Sequence, residues 1–159
     1  MSATVSLKDI VEAFESQFDD QFSSYVDMDT GKVITLPVEI LSMAEEEEPG
    51  DEIPEDIPGW QIDDYEIARR IVASDQFKQL PSQYELHEWQ IMHDFAASLE
   101  NPSPREALLK AIRGSGAFRY FKHTLRRFRL EQRWYAFRDE ALREIAKDWC
   151  REHNIAWRP

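Results

Sequence analysis

SPREALLKAIRGSGAFRYFKHTLRRFRLEQRWYAFRDEALREIAKDW, residues 103–149, is the stretch whose reading decides the fold class of this chain. Ser103 suits an N-cap, Pro104 suits the first helical position because no N–H is lost there, and Glu106 is placed to reach back to the cap's amide. Leu108, Leu109 and Ile112 give that helix an apolar edge. Gly114-Ser115-Gly116 then interrupts it, since two glycines this close favour a bend over a continuous helix. From Ala117 the pattern restarts. Phe118, Phe121, Leu125 and Phe128 fall on one face of a 3.6-residue helix, with Arg119, Lys122, Arg126 and Arg129 on the other. Trp134, Phe137, Ala141, Ile145 and Trp149 repeat the spacing in a third run, with Arg138, Asp139, Glu140 and Glu144 turned elsewhere. The stretch reads as a helical hairpin or three-helix unit with an aromatic seam.

Upstream, Ser6 and Asp9 form a capping pair ahead of the stripe Leu7, Ile10, Val11, Phe14 and Phe18, which predicts an N-terminal helix. Tyr25–Met28 and Lys32–Leu36 are β-rich and flank Asp29-Thr30-Gly31, which predicts a β-hairpin with glycine at the turn. Pro37 can open a short helix carrying Val38, Ile40 and Leu41. Residues 45–59, EEEEPGDEIPEDIPG, combine carboxylates with three prolines and read as an exposed acidic linker. Beyond it Asp63 and Glu66 cap a helix with Ile67, Ile71 and Val72. Pro81-Ser82 and Glu85 open a longer one carrying Leu86, Trp89, Met92, Phe95 or Ala96, and Leu99. The expected fold is α+β and predominantly α: an N-terminal helix and β-hairpin packed with a C-terminal helical bundle. One domain spans 1–159, with the linker at about 45–59 between its two parts.

At 159 residues with 42% hydrophobic content the chain is long and apolar enough to bury a core. Its single cysteine, Cys150, rules out an intrachain disulfide and fits a reducing compartment. No segment has the ~18 apolar residues needed to cross a bilayer, and no signal peptide is visible, so a cytoplasmic location is expected. Charge is divided along the chain. Residues 1–103 carry five Lys/Arg against 24 Asp/Glu, and residues 104–159 carry 14 against seven, within a net −12. Overall acidity opposes indiscriminate nucleic-acid binding, while a local basic face still attracts an anionic partner.

Catalytic and metal motifs do not assemble. Asp27-x-Asp29 resembles the start of a calcium loop, but position six is Lys32 and position twelve Val38, where glycine and glutamate are needed. Cys150 and His153 have C-x-x-H spacing without a second pair of ligands, and Gly114-Ser115-Gly116 has neither the spacing nor the setting of a nucleophile elbow. Asp139 with Glu140 or Glu144 reads as salt-bridging surface beside Arg138 and Arg143, not as an acid–base pair. No catalytic residue, metal site or cofactor is expected.

One constellation survives. Ser115 between glycines at a helix start leaves backbone N–H groups unpaired at the positive end of the helix dipole, flanked by Arg113 and Arg119. Lys122 and Arg126, with Arg127 and Arg129, extend that surface, and Tyr120 offers a ring for stacking. The candidate anion- or partner-binding residues are therefore Arg113, Gly114, Ser115, Gly116, Arg119, Lys122 and Arg126. The plainer alternative is that these cations meet the acidic half of the chain, within one molecule or across a homodimer.

The run AIRGSGAFR at 111–119, then Phe121-Lys122, Leu125 and WYAFRD at 134–139, resembles the signature of uncharacterised protein family 0158, and the likeness is nearly full-length. YVDMDTGKVI at 25–34 and IDDYEIAR at 62–69 are similar to that family too. Tyr120 and His123 depart from its pattern, which has Arg and Asp there. The resemblance implies a bacterial cytoplasmic protein and carries no activity across. The function expected from the residues is a non-catalytic binding or regulatory protein that recognises a macromolecular partner through its basic C-terminal face. A protein partner is favoured over nucleic acid, and no membrane is involved. The alternatives are an enzyme acting on a phosphorylated small molecule at the Gly114–Arg119 turn, and an RNA-binding protein.

Overall fold

Ser6 does at the start of the chain what its spacing predicts: its Oγ accepts from the Asp9 amide at 3.3 Å and opens helix α1 (Leu7–Gln17). The computed structural model describes residues 3–17, 21–47, 52, 55 and 57–159. Phe18, assigned above to the α1 stripe, and residues 48–51, 53, 54 and 56 of the acidic segment lie outside the described residues. The fold is α+β and predominantly α. Two compact units divide it: residues 1–83 with 146–159, and residues 84–145.

In the first unit, Leu7, Ile10, Val11 and Phe14 bury the inner face of α1. Strand β1 (Thr4–Ser6) runs directly into that helix and pairs in parallel with β5 (Ala156–Arg158), with Val5 opposite Trp157. The hairpin forms from β2 (Phe22–Asp27) and β3 (Val33–Pro37), antiparallel, and β4 (Phe77–Gln79) adds on the other edge of β2, so the sheet order is β3-β2-β4. At the turn the buried Asp27 carboxylate accepts from the Asp29 amide and the Gln76 side chain, both at 2.9 Å. Burial raises its pKa, but these bonds together with those from Thr30 outweigh it and hold the carboxyl below its usual range. Gly31 has φ +79°, and a Cβ there would fall 2.2 Å from the Thr4 carbonyl oxygen, so both conformation and space require glycine.

Helix α2 (Val38–Glu45) follows Pro37, and α3 (Ile62–Ala73) follows a 3₁₀ turn at Gly59–Gln61. Asp63 does not cap α3: Gln61 precedes the helix and Asp63 sits inside its first turn, where the helix dipole still favours a carboxylate. The buried positions are Tyr65, Ala68 and Ile71, with Val72 exposed, so the apolar face is turned from the one predicted. They join Leu36, Ile40, Leu41, Ala44 and Phe77 in one core. Glu47 is tied to α3. Arg69 donates to both its oxygens at 2.8 Å, and the Tyr65 hydroxyl donates to Oε1. The Arg69 hydrogen bonds hold the Glu47 carboxyl below its usual range, while burial, reinforced by Glu47, pushes the Tyr65 hydroxyl up.

The single helix predicted from the Pro81-Ser82 start to Asn101-Pro102 is instead α4 (Gln83–Leu86) and α5 (Glu88–Ser98), broken at His87 with φ +51°. The break re-phases the apolar stripe. Leu86, Ile91, Met92, Phe95 and Ala96 are buried, whereas Trp89 is half exposed and donates its indole N–H to the Ile112 carbonyl at 2.9 Å. Helix α6 (Pro102–Ala111) starts two residues earlier than predicted. Asn101 is the cap, accepting from the Ser103 amide at 3.1 Å, because Asn-Pro offers the same signals upstream of Ser-Pro.

Helix α7 (Ala117–Arg127) buries Phe121, Thr124 and Leu125, and leaves Phe118 half exposed. The last run is one helix, α8 (Glu131–Glu152), with Trp134, Leu142, Ala146, Trp149 and Cys150 buried; its residues from Ala146 belong to the first unit. The aromatic seam exists: the expected Phe121, Trp134 and Phe137 belong to it, Phe95 of α5 joins them, and Phe118 stays out. Phe121 and Trp134 meet edge to face at 4.9 Å, and Phe95 of α5 touches Trp134 and Phe137 at 5.4 Å each. Arg138, predicted at the surface, pairs with Glu88 at 3.1 Å with both side chains largely buried. Among the described residues no helix is long and apolar enough to cross a membrane.

Candidate functional site

The site grows from the Gly114–Gly116 turn of the second unit. Helix α6 ends at Ala111, and Gly116 precedes α7 with φ +77°, a left-handed value that glycine adopts without cost. No side chain caps α7, so its first amides are free of the usual hydroxyl or carboxylate partner. A Cβ on Gly116 would lie 3.2 Å from the Tyr120 ring, whereas one on Gly114 would meet open space. Gly116 thus allows Tyr120 to lie close over the turn.

Each residue of a helix advances it by about 100°, so α7 presents three separate faces. Phe121, Thr124 and Leu125 face the core. Arg119, Lys122 and Arg126 lie on the opposite side, all exposed. Tyr120, His123 and Arg127 form a third stripe beside Thr124, turned toward α6. The predicted residues accordingly fall into two groups. Arg119, Lys122 and Arg126 form a ridge. Gly114 and Ser115 instead line a concave groove, and Arg113 and Gly116 are exposed in the same turn.

The groove has a volume of about 680 Å³. Helix α6 contributes Ala107, Lys110 and Ala111 to it. Helix α7 contributes Tyr120, His123, Thr124 and Arg127, and no carboxylate lines it. Thr124 donates its hydroxyl to the Tyr120 carbonyl at 2.8 Å, and the Arg119 guanidinium lies 5.2 Å from the Tyr120 ring centre. Among the described residues of this unit, none of Lys110, Arg113, Arg119, Lys122, Arg126 and Arg127 is paired with a carboxylate. Lys110 is the groove cation that sequence reading missed, because it precedes the glycine turn and only the packing of α6 on α7 puts it in one groove with Arg127. The stripe 120, 123, 124, 127 was a usable signal, since polar residues at i, i+3, i+4 and i+7 share a face.

The carboxylates Asp139 and Asp148 on α8 pair with Arg143 at 2.9 Å and Arg151 at 2.7 Å, as surface ion pairs. The Cys150 thiol is buried, and burial pushes its pKa up to about 11, so it is neutral and unreactive. Among the described residues no group of three His, Cys, Asp or Glu side chains is placed to hold a metal ion.

Fold and site together define a mainly α-helical α+β protein with a basic helical ridge and, beside it, a carboxylate-free groove. The chain belongs to the uncharacterised protein family UPF0158, whose model matches residues 2–158. It is similar to UPF0158 protein PA5073 of Pseudomonas aeruginosa, with 36% identity over 66 residues, which is 41% of this chain and 43% of that protein. The match therefore spans less than half the length of that relative. No solved structure matches the chain.

Proposed function

We propose that this protein is a non-catalytic binding protein of the bacterial cytoplasm that recognises an acidic protein partner through the α7 ridge of Arg119, Lys122 and Arg126, with Arg113 at the adjoining turn. The observation that carries this reading is the position of the three cations. They stand exposed, opposite the buried face of their helix, with no carboxylate of their unit paired to them among the described residues. Cations that packing does not need are available to a partner. A net charge of −12 repels a nucleic acid at long range more than it repels a folded protein of mixed charge, which favours protein over RNA.

The test is replacement of Arg119, Lys122 and Arg126 together by Glu. Pull-downs from the native cytoplasm with the parent chain and with the variant, each with and without nuclease, identify what is retained through the ridge. Loss of a nuclease-resistant partner, with unchanged far-UV circular dichroism, is the expected result. If every retained protein is unaffected while the melting temperature falls or a dimer dissociates, the ridge serves contacts between or within copies of this chain and the proposal fails.

A further inference from the structure

We propose that the groove between α6 and α7 is a second, separate site that binds a phosphorylated small molecule carrying a planar ring, the chemistry of a nucleoside monophosphate. Three observations converge. The groove holds Lys110 and Arg127 with His123 between them in sequence, and no carboxylate lines it to neutralise them. Fixed cations without a counter-charge in a concavity favour an anion, and lysine and arginine are suited to phosphate oxygens.

Size excludes a bare ion as the natural occupant. A volume of about 680 Å³ is within the roughly 300–1,000 Å³ of sites that hold organic ligands, far more than one phosphate fills. The remaining wall supplies what an organic body needs. Ala107 and Ala111 are apolar, the exposed Ser115 carries a hydroxyl, and the half-exposed Tyr120 ring offers an aromatic surface. Tyr120 lies close to the turn because Gly116 has no side chain to displace it. No reaction is assigned to the site.

The groove borders the partner ridge at Arg119, whose guanidinium lies 5.2 Å from the Tyr120 ring centre, but Tyr120, His123 and Arg127 lie on a different stripe of α7 from Lys122 and Arg126. The test uses the full chain, with AMP, GMP, CMP and UMP titrated one at a time by calorimetry and by thermal shift, against inorganic phosphate and the matching free nucleosides. At least one monophosphate should bind with one-to-one stoichiometry, at least tenfold more tightly than phosphate or its nucleoside. Lys110→Gln and Arg127→Gln should each weaken it at least tenfold, and Tyr120→Ala several-fold, while Arg126→Gln on the ridge leaves it unchanged. Arg127 also lies over the Phe128 ring at 4.7 Å, so Lys110→Gln, which disturbs no such contact, guards against loss of fold. Absence of binding by all four at low millimolar concentration would overturn the proposal. So would equal affinity for inorganic phosphate, or equal weakening by Arg126→Gln and Lys110→Gln.

Discussion

Phe121 and Phe118 are three residues apart, and periodicity alone puts both in the core. Their exposures are 1% and 50%, so alanine substitution should separate them sharply. Removing a fully buried phenylalanine costs about 3–5 kcal/mol, from lost transfer energy and the cavity left behind. Phe121 is at the upper part of that range, because its ring meets Trp134 at 4.9 Å and Phe95 at 6.4 Å, both edge to face. Phe118→Ala removes a side chain still half in water and should cost about 1 kcal/mol or less. Urea titration followed by near-UV circular dichroism and tryptophan fluorescence measures both, and coincidence of the two probes tests two-state behaviour. With a denaturant slope of about 2 kcal/mol per molar, Phe121→Ala should lower the midpoint by roughly 2–2.5 M and Phe118→Ala by less than about 0.5 M. Equal shifts, or a Phe121→Ala loss below about 1 kcal/mol, would refute the helix phase described for α7.

At the hairpin, Gly31→Ala should destabilise by more than the roughly 1–3 kcal/mol of the left-handed conformation alone, since the new Cβ also collides with the Thr4 carbonyl; a denaturation midpoint within error of the parent would contradict that. Glu47→Gln should flatten the acid limb of the stability curve. The folded Glu47 carboxyl lies below its unfolded value, so its contribution is present above the ordinary carboxylate range and lost as pH falls through the folded value, and melting temperatures measured from pH 7 to pH 3 should converge at the acid end. Cys150 should resist iodoacetamide at pH 8 in the native protein and react fully in denaturant, by mass spectrometry, because its thiol is buried and its pKa is pushed up to about 11.

Local signals proved readable wherever a few adjacent residues settle the matter. The Ser6 cap, the Asp29-Thr30-Gly31 turn, the Pro37 helix start and the Gly114–Gly116 break each depend on chemistry within about four residues, and each stands in the structure close to where it was expected. Features set by distant packing were not readable. Nothing in Thr4–Ser6 or Ala156–Arg158 announces that they pair, and Phe77–Gln79 becomes a strand only because β2 presents an open edge. The α7 phase held at Phe121 and Leu125, but the buried face is rotated toward Thr124, a polar residue whose hydroxyl is satisfied by the Tyr120 carbonyl, and this leaves Phe118 half exposed. The turn of the candidate site was legible from its glycines, whereas the groove needed Lys110 and Arg127 to be brought together by the packing of two helices.

The pairing of β1 with β5 has a consequence for the timing of synthesis. The second unit is encoded between the parts of the first, so β1 must wait for β5 while residues 7–155 are made, roughly 7–30 s at ordinary elongation rates. During that interval the ribosome carries a chain whose first strand has an open edge, a template for any other unpaired strand nearby. Order of emergence, and not only final stability, therefore sets the risk of misassembly: a pause placed before residue 156 prolongs the vulnerable state.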